Sequence, residues 1–205
     1  MNKKNIIYFL IVLLTSCNIL NHSRFSYYKQ FPETKSVFKT NGVYYKFEEF
    51  HTVHGDDRYY ASLYYFYKDG SIINTSLQME NSTDKDILSK LTGDFNKRNE
   101  LAYRTGGAYL ISGDTLKTQI FEGTGQRGLY ADNVVEYNYL VDKKSDSIIL
   151  ISSFCDWCEK SRRKNMAMDI GIERYSFLPS VVKPDSSKIW YKKAKWYRKE
   201  VGSGL

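Results

Sequence analysis

Turn chemistry constrains this chain more than any other feature. Lys68-Asp69-Gly70-Ser71 separates two runs rich in aromatic and β-branched residues, Tyr59 to Tyr67 and Ile72 to Leu77. Asp-Gly between such runs is a strong hairpin signal, because Gly takes the positive φ a tight turn needs. Ser112-Gly113-Asp114 divides Ala108 to Ile111 from Thr115 to Phe121 in the same way. Asp142-Lys143-Lys144-Ser145-Asp146 divides Asn133 to Val141 from Ser147 to Phe154. Val43 to Phe50, Ile172 to Phe177 and Lys188 to Arg198 read as further strands. One helix interrupts the series. Ser82 or Thr83 can cap it, and Asp84 and Asp86 suit its positive end. Ile87, Leu88, Leu91 and Phe95 form its apolar stripe, and Gly93 weakens its end. Eight or nine strands in sequential hairpins, with one short helix, predict a mainly β domain, an antiparallel up-and-down barrel or half-barrel.

The N-terminus carries a second signal. Lys3 and Lys4 precede an unbroken apolar run from Ile6 to Leu14. As a helix this run reaches only ~14 Å, about half a hydrocarbon core, so it reads as an export signal rather than a span. Leu14-Thr15-Ser16-Cys17 follows. This resembles the lipobox of bacterial lipoproteins, including those of Bacteroidota type. The resemblance implies cleavage before Cys17 and attachment of lipid, palmitate among the acyl groups, to its thiol and new amine. Two or three acyl chains anchor a protein essentially permanently. Residues 1–16 are then a signal peptide, 17–36 the lipidated Cys17 and a polar tether of about 25 Å reach, and 37–205 a single domain. The implied location is outside the cytoplasm, on the outer membrane of a Gram-negative bacterium. No acidic cluster follows Cys17, which leans towards a periplasm-facing anchor.

The order of elements, with Gly107 to Lys117 and Lys183-Pro184-Asp185-Ser186-Ser187, looks like that of small bacterial lipoproteins with a lipocalin-like barrel. The resemblance covers about residues 40 to 198. It implies a fold and a ligand cavity, and it carries no functional residues across.

Candidate chemistry is sparse. Cys155-Asp156-Trp157-Cys158 follows a strand and precedes a helix-like stretch, the local order of a thiol redox site. Its flanks are antiparallel hairpins, however, and export favours a local disulfide between Cys155 and Cys158. Free or metal-bound thiols are the remaining alternative. His51-x-x-His54 reads as a polar loop, since zinc ligands are usually compactly spaced, and no metal is assigned. Gly123-Thr124-Gly125-Gln126-Arg127-Gly128 fits a dinucleotide fingerprint by letter, but a strand and not a helix follows it, so no cofactor is expected.

Aromatic residues make up 16% of the chain, with 18 Tyr, and they supply the candidate ligand surface. Strand alternation puts Tyr59, Ala61, Leu63, Tyr65 and Tyr67 on one face and Tyr60, Ser62, Tyr64 and Phe66 on the other. The first face, with Tyr109, Tyr137 and Tyr139 of later strands, is the candidate cavity lining, because Tyr offers a flat apolar body and a hydroxyl.

Charge is uneven. Residues 159–205 hold 12 Lys and Arg against 5 Asp and Glu, while 18–158 hold 16 against 18. The segment from Lys188 to Lys199 interleaves bases with Trp and Tyr. It reads as an edge strand guarded by Lys, with anionic head groups as the rival partner and a helix as a further possibility. Nucleic acid does not suit an exported chain. The expected function is a non-enzymatic, membrane-anchored binding module for a small apolar or amphipathic ligand. The alternatives are a structural or assembly scaffold of the outer membrane and an exported thiol-disulfide protein.

Overall fold

The computed structural model describes residues 25–29, 38–51, 57–80, 83–93, 106–122, 133–155, 173–180, 182–193 and 197–198. The signal peptide, Cys17, most of the tether, His54, the glycine-rich segment 123–128 and Cys158 lie outside these residues.

Eight strands form a closed antiparallel barrel in sequence order: β1 (Gly42–His51), β2 (Asp57–Phe66), β3 (Ser71–Met79), β4 (Gly106–Ser112), β5 (Thr115–Glu122), β6 (Asn133–Asp142), β7 (Ser147–Cys155) and β8 (Arg174–Pro179). The seam is β1 on β8, with Val43 opposite Leu178. This is the mainly β, up-and-down barrel that the turn pattern predicts, and it is consistent with the lipocalin-like fold that the resemblance implies.

The turns behave as their residues require. Gly70 and Gly113 adopt φ of 77° and 60°. Asp69 steadies its turn by accepting the Ser71 backbone N–H at 3.0 Å. With Ser112 opposite Thr115, Gly113-Asp114 is a two-residue loop with Gly at its first position, which suits the twist of the flanking strands. Asp146, at φ 47°, completes the turn between β6 and β7. These short turns cluster at one end of the barrel. The longer connections, from β1 to β2, β3 to β4, β5 to β6 and β7 to β8, all join strands at the other end.

Two apolar layers result from strand alternation. The inner one draws on all eight strands: Tyr44, Tyr64, Phe66, Ile72, Tyr109, Ile111, Leu116, Ile120, Tyr139, Ile148, Leu150 and Tyr175. Phe38 closes it at the short-turn end, stacked 5.1 Å from Tyr44 and edge-on to Phe66 at 4.9 Å. The outer layer lies on one wall, chiefly β2 to β5, where Leu63, Tyr65, Ile73, Ala108 and Phe121 are covered by other parts of the chain. Helix α1 (Asp84–Gly93) supplies Ile87 and Leu91, with Leu88 partly exposed. Thr83 caps α1, its hydroxyl accepting the Asp86 N–H at 3.3 Å, and Tyr45 donates to Asp84 to pin the helix start on β1. Phe25 enters from the N-terminal side and packs on Phe121 at 4.6 Å and Tyr191 at 4.9 Å.

The basic C-terminal segment corrects the expectation of a ninth strand. Because β1 and β8 pair, the closed barrel leaves no edge for Lys188 to Arg198 to extend or guard. Ser186–Lys188 and Trp190–Lys193 form 3₁₀ turns instead, and Ile189 and Tyr191 fill the outer layer. Tyr191 donates to the Gly107 carbonyl at 2.9 Å, and Lys192 reaches Asp69 at 2.7 Å. Lys183 anchors the start of this wrap. Its ammonium donates to the carbonyls of Thr40 and Phe66 at 2.6 and 2.8 Å and sits 4.3 Å over the Tyr67 ring. Burial lowers its pKa to about 8.

Candidate functional site

The barrel interior divides into two halves. At the short-turn end, aromatic and aliphatic side chains pack together. Towards the long-loop end, the inner face turns polar: Lys46 and Glu48 of β1, Ser62 of β2, and Ser76 and Gln78 of β3. Ser76 and Gln78 are exposed although they point inward.

Three charged side chains meet above a tyrosine layer. The Lys46 ammonium lies 3.2 Å from Glu48 and 3.1 Å from Glu173, which immediately precedes β8. Ser62 donates to Glu48 at 3.0 Å, and the Tyr175 hydroxyl donates to Glu173 at 3.2 Å. The same ammonium is 5.7 Å from the centre of the Tyr175 ring. Beneath it, Tyr64 meets Tyr175 edge-on at 5.1 Å and Tyr139 at 6.2 Å, while Tyr139 and Tyr175 are 6.0 Å apart. Lys46, Glu48 and Glu173 keep 23%, 29% and 36% of their side-chain surface in water, so the trio is neither sealed nor free.

The tyrosine layer holds an unsatisfied group. The Tyr139 hydroxyl is buried and no partner meets hydrogen-bond geometry. Burial, with the Tyr64 and Tyr175 side chains next, drives its pKa far above the usual range. Burial and the Tyr64 hydroxyl do the same to Tyr175, helped by the nearby Glu173 carboxylate. Tyr139 and Tyr175 therefore stay protonated and neutral at the base of the charged trio.

Of the six tyrosines expected to line a cavity, Tyr109, Tyr137 and Tyr139 face the interior. Tyr59, Tyr65 and Tyr67 face the opposite way, into the wrapped outer wall, and Tyr67 donates to the Pro184 carbonyl at 2.6 Å. The interior face of β2 is the other set, Tyr60, Ser62, Tyr64 and Phe66. Both faces of β2 are aromatic because both are covered, one by the barrel and one by the wrap. Sequence reasoning missed Lys46, Glu48 and Glu173. The signal was available in part: Tyr44, Lys46 and Glu48 alternate along one face of β1. Glu173 comes to them only through the seam. Cys155 ends β7 at the long-loop end. Among the described residues, no group of three His, Cys, Asp or Glu could hold a metal ion.

Comparison with protein-family models, with curated proteins and with solved structures finds no match for this chain.

Proposed function

We propose that this protein is a non-enzymatic binding module for a small amphipathic ligand, carried on an exported chain anchored through lipid on Cys17. The reading rests on one observation: the long-loop end of the barrel interior joins an aromatic floor, with a buried Tyr139 hydroxyl that makes no hydrogen bond of good geometry, to a half-exposed charged trio. Buried polar groups are nearly always paired, and a floor whose hydroxyls are incompletely satisfied suits a ligand that completes them. Small-molecule sites combine aromatic lining with a few placed polar groups in this way, often in the mouths of barrels. The anchor and the outer-membrane location rest on Lys3 to Cys17 alone. Native mass spectrometry of the full-length protein, released from its producing cells in a maltoside detergent, tests the reading. A discrete co-purifying mass below roughly the size of a lipid supports it. Apoprotein that also ignores a panel of amphipathic compounds overturns it.

A second reading, an outer-membrane assembly scaffold, draws on a different surface. Leu140, Ile151 and Phe154 are exposed on the outside of β6 and β7. Ile151 is thrust out by a bulge, since Tyr139 pairs with Leu150 and Asn138 with Ser152. Pull-down of other envelope proteins that is lost in Phe154→Ser, with the interior untouched, favours this alternative.

A further inference from the structure

We infer that the ligand of this barrel is a small organic cation, and that Lys46 occupies its place when the site is empty. The inference rests on the ligand-binding reading above and names the ligand's chemistry. Two carboxylates, Glu48 and Glu173, converge on one point from opposite sides of the seam and hold the Lys46 ammonium at 3.2 and 3.1 Å. That point lies over the Tyr175 ring, with the Tyr64 and Tyr139 rings directly below. Paired carboxylates over an aromatic face are what an ammonium group selects, through charge and through attraction to the ring. The trio carries two negative charges against one positive. Arg58, the next cation on the inner face of β2, is exposed at the rim, and the ion pairs of both carboxylates among the described residues are with Lys46 alone.

Lysine is suited to this placeholder role. Its ammonium is a mobile point charge on a long flexible stem, and Lys46 is only half-buried, so it can swing towards water without disturbing the strand. An incoming ammonium then takes over both carboxylates, and its apolar body lies on the tyrosine layer. The Tyr139 hydroxyl, buried beside the Tyr64 side chain with no hydrogen bond of good geometry, gives a second sign that the layer is completed by something else. An anionic head group would meet two carboxylates at ion-pair distance. A neutral one would leave Lys46 in place above the rings.

Three probes with one phenol ring and different charge test this: tyramine, 4-ethylphenol and 3-(4-hydroxyphenyl)propanoate. Binding to the full-length protein is measured by calorimetry in a maltoside detergent, which carries no ammonium group. Tyramine should bind most tightly, by about tenfold over the neutral probe. Glu48→Gln and Glu173→Gln should each weaken tyramine and leave 4-ethylphenol unchanged. Lys46→Met should tighten tyramine by about tenfold, a gain that a misfolded variant cannot produce. If the neutral or anionic probe binds as well as tyramine, or Lys46→Met weakens tyramine, the cation inference is overturned while the binding module stands. If no probe binds at millimolar concentration in wild type or Lys46→Met, both fall.

Discussion

Tyr191 is the sharpest test of how the C-terminal segment is built into the fold. Its ring is fully buried in the outer layer, touching Phe25 at 4.9 Å and Tyr197 at 5.4 Å, and its hydroxyl donates to Gly107. Truncation to Ala removes an aromatic side chain that buries roughly 150–250 Å², and the expected loss is about 4 kcal/mol once cavity relaxation is allowed for. Tyr191→Phe keeps the packing and abandons one buried carbonyl, at a cost of about 1–2 kcal/mol. For a chain of this size each kcal/mol lowers Tm by about 2–4 °C, so Ala should shift the melt by about 10 °C and Phe by only a few degrees. Thermal unfolding followed by circular dichroism, with the full-length protein in detergent, reads both. If the segment were a peripheral edge guard, its lysines would matter and Tyr191 would not. A Tyr191→Ala variant that melts within 2 °C of wild type refutes the wrapped-wall account.

Four further outcomes are expected. Tyr139→Phe removes a buried hydroxyl that makes no hydrogen bond of good geometry, so it should raise Tm or leave it unchanged while weakening ligand binding; a Tm loss above a few degrees contradicts the site description. Lys183, with its pKa lowered to about 8 from 10.5, sheds its proton in the folded state first, so the unfolded chain holds more protons between those values. Stability should therefore rise with pH across 8 to 10 in wild type relative to Lys183→Met, measured by urea unfolding; parallel curves would refute this. In Gly107→Ala the new Cβ would collide with the Gln119 carbonyl oxygen on the neighbouring strand, so the variant should lose about 1–3 kcal/mol by denaturant unfolding. Radiolabelled palmitate should enter wild type and not Cys17→Ser, and wild type that takes up none would end the anchor reading.

The strands were legible because their turns are chemically explicit: Asp69-Gly70 and Gly113-Asp114 can hardly do anything else. Helix α1 was legible from its cap and stripe. The C-terminal segment misled because its interleaved lysines and aromatics suit a guarded edge strand as readily as tight 3₁₀ turns. What decides between them is the β1–β8 seam, a pairing that local pattern does not encode. The same seam hid the candidate site, because it brings Glu173 to Lys46. The tyrosine faces were ambiguous for a further reason. Alternation separates two faces of β2, but it names neither as inside when both are covered.

The wrap also sets an order of assembly. Strands β2 to β7 pair only with sequence neighbours, so each hairpin can form as soon as it is made. The seam must wait for Leu178, and the outer wall, where Phe25 meets Tyr191, must wait for the residues beyond it. Until then Leu63, Tyr65, Ile73 and Ala108 lie bare on a half-built sheet. Long-range closures of this kind are slow, and an apolar wall exposed meanwhile is open to aggregation. A ribosome-stalled or truncated chain ending near residue 185 would have every strand of the barrel and still present this wall to whatever chaperone it meets.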